Sequence, residues 1–367
     1  MNGDSTGAGT DNPKRLPRGL VPSRRSLLAG TVAGALAGAG GLTALAGAPP
    51  ASAASSYVPG SGWINVVTQY QADPTGTSDS TAAIQAALDD VPATGALVYL
   101  PAGTYLISAA LTVKANTTIQ GDGDGATIIT QSSTTANGLQ GTDGQYLTVS
   151  DLWLQGPSSG SGVGILFDIS ANTSVPYTRV SRVTISRWGS HGLYLDTPIV
   201  SQFDSVVSML NGGDGFHPTA AVSCTSCGFS SCYANANQGT GYFLVNLQYS
   251  VLDSCAADNN GNGYDLSGCH AVTLTGCGAE ATTTDNFVFQ SGSGNSVVGC
   301  WVYHNNATGI LAENGESKLT LIGCTENSPL GGASSFVNAA SGTSGALLNV
   351  TDVSGNVLPG SGWTVLA

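Results

Sequence analysis

The chain has 367 residues, of which 51 are glycine and 9% are charged, and its formal net charge is −13. This composition is too apolar for an intrinsically disordered protein and too rich in glycine for a helical one, so it favours a β-rich globular fold. The few Lys and Arg residues argue against a nucleic-acid-binding protein, which needs clustered basic groups to neutralise phosphates.

The first 53 residues have the pattern of an export signal. The pair Arg24-Arg25 precedes a weakly hydrophobic run that ends in the cleavage pattern Ala51-Ser52-Ala53. A transmembrane anchor is the alternative, but glycine residues interrupt the run. We expect residues 1–53 to be a twin-arginine-type signal peptide and the mature protein to be secreted, with no membrane attachment after cleavage. The mature chain then has 21 acidic and 5 basic residues, a formal net charge of −16, which favours an uncharged partner or one bridged by a cation.

Residues 54–130 are expected to form an N-terminal cap and the first coils of a repetitive fold. A helix is predicted at about residues 80–90, because Ile84, Ala87 and Leu88 fall on one side of it. Such a helix closes the open end of a solenoid, whose first coil would otherwise expose its core and its edge.

Residues 131–345 repeat with a period of about 23 residues, and each repeat has short β-like segments and turns rich in Gly and Asn. This period is typical of one coil of a parallel β-helix. We therefore predict an all-β fold, a single-stranded right-handed parallel β-helix capped by the N-terminal α-helix, and a C-terminal strand or tail at residues 346–367. The repeat is anchored by Val183, Val206, Cys232, Cys255, Cys277, Cys300 and Cys324.

Other positions keep the same register. Asn stands five residues after the anchor in four of six coils, which predicts a ladder of stacked amides. About ten and twelve residues after the anchor, two positions are predicted to face the interior, and the residue between them to face outward. The anchoring Cys residues are predicted to be free, buried thiols, and the pair Cys224 and Cys227 to be structural, since no second pair follows at zinc-ligand spacing.

The segments "ADPTGTSDSTAAIQAALDD", "VYLPAGTY" and "TTIQGDGDGATIIT" resemble the N-terminal signature of the pectate-lyase-like superfamily of right-handed β-helix proteins. The resemblance is strongest to the branch related to family-28 glycoside hydrolases and rhamnogalacturonases, and as a fold it covers most of the mature chain. The superfamily includes hydrolases, lyases, epimerases and phage tailspikes, so the reaction must be argued from the site. Some of its members are trimers, and both a monomer and a homotrimer are compatible with this sequence.

Titratable residues concentrate on two adjacent coils. Neighbouring coils lie ~4.8 Å apart, so we expect Tyr194 to lie beside His217, and His191 beside Asp214. Acid and base groups paired on one face suit proton transfer at a sugar ring. The predicted catalytic residues are His217, Tyr194, Asp196, Asp214, His191 and Asp265.

Aromatic rings along a groove can stack on sugar faces, and a cation can meet an acidic sugar. The predicted substrate-binding residues are Trp301, Tyr233 and Arg187, and no metal centre is predicted.

Two short segments resemble active-site motifs of this superfamily. "WGSHGLYLD" is similar to the Gly-His-Gly segment of polygalacturonases, which implies a place for His191 in the active site, although the family's paired Asp and Arg-x-Lys are absent. "GFHP" is similar to the Gly-Phe-Asp-Pro-His segment of alginate epimerases, with His217 in place of the Asp and Thr219 in place of the family's His.

These observations predict a secreted enzyme that acts on a polysaccharide, by cleavage of glycosidic bonds as in glycoside hydrolases. A lyase or uronate epimerase that uses a Tyr/His pair is the alternative, and only that reaction would call for calcium; otherwise no cofactor is expected. A β-helix that binds glycans or acts as an adhesin without catalysis is the third hypothesis. Hydrolysis normally requires two carboxyl groups at a set distance, and no two columns of the repeat provide such a pair.

Overall fold

The structure is a computed structural model, and the predicted signal peptide lies outside the residues that it describes. In the described part, parallel β-strands follow one another in a solenoid with one helix near its start. This confirms the predicted all-β parallel solenoid and its N-terminal helix. The described residues are 63–170, 174–221, 223–303, 308–326, 336–350 and 362–366.

The helix spans Thr81–Asp89 and buries the predicted residues Ile84, Ala87 and Leu88. The helix also forms hydrogen bonds with the open strand edge of the first coil. The side chain of Gln85 accepts a hydrogen bond from the backbone N–H of Thr112 at 2.8 Å and donates one to its carbonyl oxygen at 3.1 Å. One amide side chain thus replaces a missing neighbouring strand, and an unpaired edge is avoided.

The coils add strands to parallel sheets, and the coils in the middle of the described solenoid contribute to three of them. In one coil the chain passes through Gly228–Ser230 and Tyr233–Asn235 of a 22-stranded sheet, Tyr242–Val245 of a ten-stranded sheet and Leu247–Gln248 of a four-stranded sheet. Corner residues such as Asn246 (φ 56°) adopt the left-handed conformation, which Asn tolerates better than most residues.

The three sheets differ greatly in size. The ten-stranded sheet contains Leu111–Thr112, Leu139–Thr142, Ile165–Asp168, Leu193–Asp196, Phe216–Thr219, Tyr242–Val245, Tyr264–Ser267, Phe287–Gln290, Ile310–Glu313 and Val337–Ala339. The four-stranded sheet contains Val175–Pro176, Pro198–Ile199, Cys224–Thr225 and Leu247–Gln248. The 22-stranded sheet contains Ile64–Asn65, Thr75–Asp79, Ala96–Tyr99, Gly103–Ile107, Thr117–Gln120, Thr127–Gln131, Thr148–Gln155, Arg179–Ser186, Gln202–Asp204, Val207–Met209, Gly228–Ser230, Tyr233–Asn235, Val251–Asp253, Ala256–Asp258, Thr273–Thr275, Gly278–Glu280, Ser296–Val298, Trp301–Tyr303, Leu319–Ile322, Thr325–Glu326, Gly345–Leu348 and Trp363–Leu366.

The core is a set of stacked columns. Phe216, Tyr242, Tyr264 and Phe287 are buried, and each ring stacks on the next with centroids 4.7 to 4.8 Å apart. That distance equals the spacing between neighbouring strands. Stacking is therefore set by the backbone hydrogen bonds of the sheet, and each coil repeats the same interior position.

The predicted Asn ladder is present and buried. Nδ2 of Asn211 donates to Oδ1 of Asn237 at 2.9 Å, and Nδ2 of Asn237 donates to Oδ1 of Asn260 at 2.9 Å. The same oxygens accept the backbone N–H groups of Asn211 and Asn237. The amides thus satisfy backbone groups at the corner between the 22-stranded and ten-stranded sheets, where no strand is present to do so.

All eight Cys residues are buried and free, as predicted for the five anchoring residues. The five anchoring thiols form one column, in which Sγ of Cys232 donates to the carbonyl oxygen of Phe203 at 3.4 Å. Burial raises the pKa of the Cys324 thiol to about 12. These thiols behave as small apolar side chains with weak hydrogen bonds to the preceding coil.

In the part of the chain that the structure describes, no helix is long and apolar enough to cross a membrane.

Replacement of Asn237 by Ala should lower the free energy of unfolding by about 2–6 kcal/mol, because two buried donors of Asn211 lose their acceptor at roughly 1–3 kcal/mol each. Urea unfolding followed by circular dichroism measures this loss. Asn235→Ala is the matched control, since Asn235 is only half-buried on the outer side of the preceding strand. Equal midpoints for the two variants would contradict the role of the ladder.

The buried thiols should resist modification. Because thiol reagents attack accessible thiolates, we expect no reaction of the native protein with Ellman's reagent and eight reactive thiols per chain after unfolding without reductant. A smaller number after unfolding would indicate disulfides, and a fast reaction before unfolding would indicate exposed thiols.

Candidate active site

Two adjacent strands of the ten-stranded sheet place Tyr194 beside His217. The strands Leu193–Asp196 and Phe216–Thr219 pair in parallel, with Tyr194 opposite His217 and Asp196 opposite Thr219. Their inward residues are buried in the core, so Tyr194 and His217 point outward as predicted.

The residues before these strands come together in the same way. The backbone N–H of Asp214 donates to Nδ1 of His191 at 3.0 Å, and the N–H of Gly192 donates to the carbonyl oxygen of Asp214 at 2.9 Å. A Cβ atom on Gly192 would overlap Oγ of Ser208, so only glycine fits this corner. The close approach of the coils holds His191 next to Asp214.

Asp214 is the centre of the cluster. Its Oδ2 lies 2.6 Å from Nδ1 of His217 and 3.2 Å from Nδ1 of His191, while its Oδ1 accepts the backbone N–H of Thr240 at 2.6 Å. We call His191, Asp214 and His217 the His–Asp–His centre. Through one carboxylate, contacts join three successive coils.

The environment of Asp214 keeps it ionised. Burial opposes ionisation, but the interactions with His191 and His217 and the hydrogen bond from Thr240 outweigh it, so the pKa of Asp214 lies well below its usual range. A hydrogen bond to this carboxylate places the proton of neutral His217 on Nδ1. Nε2 then keeps a lone pair and can act as a base.

Tyr194 stacks on His217 with ring centroids 5.1 Å apart and an interplanar angle of 24°. On the other side of His217 lies Phe243, at 4.9 Å. Burial, and then the charges of Asp196 and Asp168, raise the pKa of Tyr194. Tyr194 therefore keeps its proton at neutral pH and can act as a proton donor beside the imidazole of His217.

Pro218 interrupts the sheet beside His217. Strand Phe216–Thr219 pairs with the next strand only at Phe216, opposite Tyr242, whereas the neighbouring strand pairs match over four residues. Pro has no N–H to donate to the ladder. The sequence showed this residue as part of an interior column, but its effect on the ladder depends on the register of the next coil.

The other predicted catalytic residues lie further from the centre. Asp196 accepts a hydrogen bond from Oγ1 of Thr197 at 2.8 Å and lies two residues after Tyr194 on the same strand. Asp265 is two rungs beyond His217, with Phe243 between them.

Asp265 lies in the predicted outward column, but it is buried, and only 7% of it is exposed. Burial raises the pKa of Asp265 despite a hydrogen bond from Nε2 of Gln290 at 2.9 Å. The adjacent Val288, on the same outward column, is also buried.

The predicted substrate-binding residues are not brought to the centre. Tyr233 and Trp301 lie on the 22-stranded sheet, three coils apart, where Oη of Tyr233 donates to Asp258 at 2.8 Å. Arg187 is exposed at the corner that follows strand Arg179–Ser186. In the described part of the chain, no hydrogen bond or ion pair links Arg187 to the His–Asp–His centre.

Three features of the centre were not recognised in the sequence. They are the direct bond between Asp214 and His217, the anchoring of Asp214 by the N–H of Thr240, and the packing of Phe243 against His217. The spacing of three residues between Asp214 and His217 was visible. The contact between the two side chains, which depends on the turn at Gly215, was not visible.

The donors do not suit calcium. Among the described residues, one group of three His, Cys, Asp or Glu side chains can hold an ion, the His–Asp–His centre, with its ligand atoms within 4.8 Å of one another. Calcium takes six to eight oxygen ligands, whereas this centre offers two imidazole nitrogens and one carboxylate.

The chain is similar to known β-helix proteins. Residues 63–317 match the family described as rhamnogalacturonase A/epimerase, pectate lyase-like. Mannuronan C5-epimerase AlgE5 of Azotobacter vinelandii is 30% identical over 249 residues, which cover 54% of this chain and 25% of that protein. AlgE3 of the same organism, also a mannuronan C5-epimerase, is 52% identical over 62 residues, which cover 15% of this chain and 3% of that protein. The chain thus spans a quarter or less of the length of these curated relatives.

Solved structures show the same fold. The A-modules of the mannuronan C5-epimerases AlgE6 and AlgE4 of Azotobacter vinelandii align with TM-scores of 0.66 and 0.63 at 18% and 19% identity. The alignments cover 82% and 83% of this chain and 97% and 100% of those modules. The family match extends over most of the chain, and the chain belongs to the rhamnogalacturonase A/epimerase, pectate lyase-like family.

Proposed function

We propose that the protein modifies an anionic polysaccharide by removing the proton at C5 of a uronate residue, as an epimerase or a lyase. The observation that carries the proposal is the bond between the Asp214 carboxylate and His217, with Tyr194 stacked on the same imidazole. Similarity to two mannuronan C5-epimerases supports the substrate class. The predicted export signal would bring the enzyme to polysaccharides outside the cell.

Each residue of the site has a role in this reaction. Nε2 of His217 takes the C5 proton, and Asp214 positions the imidazole and stabilises the positive charge that it gains. Nδ1 of His191 accepts a backbone N–H, so His191 carries its proton on Nε2 and can donate a hydrogen bond to the uronate carboxylate. The negative charge that develops on that carboxylate after proton removal strengthens this bond.

Tyr194 can complete the elimination. In elimination, the electron pair of the C5–H bond forms a double bond to C4, the C4–O4 bond breaks, and Tyr194 protonates the leaving oxygen. In epimerisation, a proton returns to C5 from the opposite face, and solvent water is its donor. Tyr194 and His217 project from neighbouring rungs of one sheet and approach a sugar from the same side, which favours elimination, whereas the named relatives favour epimerisation.

Hydrolysis is the second candidate function. Asp214 and Asp265 have pKa shifts in opposite directions, as a base and an acid of a hydrolase do. The burial of Asp265 counts against it, because a general acid must reach the glycosidic oxygen.

Product analysis separates these reactions. The purified protein is incubated with mannuronan, a galacturonan and a neutral glucan, with calcium and with chelator. Absorbance of unsaturated uronates indicates elimination, and changed C5 configuration by NMR without chain cleavage indicates epimerisation. Reducing ends without unsaturation indicate hydrolysis and would overturn the proposal. Binding without any product would make the protein a glycan-binding β-helix.

Replacement of Tyr194 by Phe should lower kcat by about 10²- to 10⁴-fold, the usual contribution of a positioned acid or base. The thermal midpoint should change little, since Phe keeps the ring that packs on His217. Tyr249→Phe is the matched control, because Tyr249 is 71% exposed at a corner outside the site, and it should keep full activity. Wild-type turnover in Tyr194→Phe would remove this hydroxyl from the mechanism.

A further inference from the structure

The His–Asp–His centre gathers three good metal ligands at one point. His191, Asp214 and His217 come from two successive coils, and their ligand atoms lie within 4.8 Å of one another. Their side chains are 25%, 13% and 16% exposed, so the centre is sheltered but open to small ions.

Nδ1 of His191 has two polar neighbours, of which one requires a lone pair on this nitrogen and the other a proton or a cation. The backbone N–H of Asp214 donates to it at 3.0 Å, which requires a lone pair on this nitrogen. Oδ2 of Asp214 lies 3.2 Å from the same nitrogen and is itself an acceptor. Two electron-rich atoms at this distance repel each other unless a proton or a cation lies between them.

We propose that His191, Asp214 and His217 bind one divalent transition-metal ion, of which zinc is the probe. Two imidazoles and one carboxylate suit zinc and its neighbours in the first row, and not calcium or magnesium. Bond lengths of about 2.0–2.1 Å place neighbouring ligand atoms roughly 3.0–3.4 Å apart. The 3.2 Å between Oδ2 of Asp214 and Nδ1 of His191 already meets this distance, and the 2.6 Å to Nδ1 of His217 needs a small opening. The ion takes the lone pair of His191 Nδ1 in place of the Asp214 N–H.

The surroundings hold the ligands in place. Oδ1 of Asp214, the oxygen that faces away from the imidazoles, accepts the N–H of Thr240 at 2.6 Å. Such outer hydrogen bonds fix the orientation of a ligand before the metal arrives. Three protein ligands leave at least one coordination position open, as in zinc sites that exchange water or bind small molecules.

Metal and proton compete for the same atoms. In the proposed reaction Nδ1 of His217 carries a proton that is bonded to Asp214, whereas a bound metal takes the lone pair of that nitrogen and the carboxylate oxygen. The metal-bound form therefore lacks the base, and the ion inhibits the enzyme. This consequence rests on the proposed function, but the binding of the ion does not.

Calorimetric titration of zinc into untagged, chelator-treated protein tests the site without substrate. We expect one ion per chain, and at least tenfold weaker binding in His191→Ala and in Asp214→Asn, since even the loss of an outer-shell partner costs 10–100-fold in affinity. Asp214→Asn keeps the oxygen that accepts the Thr240 N–H, and thermal melting checks that each variant is folded. His270→Ala removes an exposed His elsewhere on the solenoid and should bind like the wild type.

Cobalt substitution distinguishes this site from the column of thiols. Binding by nitrogen and oxygen gives weak visible bands without the intense near-ultraviolet absorption of thiolate ligands. The proposal is overturned by an absence of saturable binding, by equal affinity in wild type, His191→Ala and Asp214→Asn, or by a thiolate band. The wild type could bind one zinc ion that these variants do not bind and still be inactive on every polysaccharide. That result would overturn the proposed function but not the metal site.

Discussion

The backbone hydrogen bonds between successive coils set the spacing of the core columns, the amide ladder and the candidate site. They repeat at the spacing of parallel strands, so a residue type that suits one coil suits the same position in the next. The ring column at Phe216, the amide ladder at Asn237 and the thiol column at Cys277 are three consequences of that one distance.

The candidate site lies where two neighbouring coils carry titratable residues at positions that the repeat leaves variable. Where the scaffold needs only a turn and an outward residue, two neighbouring coils carry His191, Tyr194, Asp214 and His217, and the coil spacing brings these side chains into contact. Pro218 adds a local defect, because it removes a ladder hydrogen bond next to His217. The rigid sheet thus fixes the chemical groups at distances that a loop would not hold.

An ionised carboxylate between two imidazoles needs compensation for its burial. The N–H of Thr240 supplies part of it, and a proton or a metal ion between Asp214 and the imidazoles supplies the rest. Which of the two occupies the centre decides whether His217 can act as a base. The segment that resembles the alginate-epimerase motif has His217 and Thr219 at the positions of that family's Asp and His.

The sequence by itself determined the solenoid, the interior columns, the Asn ladder and the pairing of Tyr194 with His217, because each follows from a fixed period and a fixed strand spacing. The motifs near residues 70–130 also indicated the pectate-lyase-like superfamily. The tertiary structure alone decided which outward residues are truly accessible: Asp265 is buried, and Tyr233 and Trp301 lie on another sheet. It alone showed Asp214 bonded to His217, since the path of the turn at Gly215, and not the period, sets that contact. Columns can be read from a repeat, whereas contacts around a corner depend on side-chain rotamers and backbone angles that no period encodes.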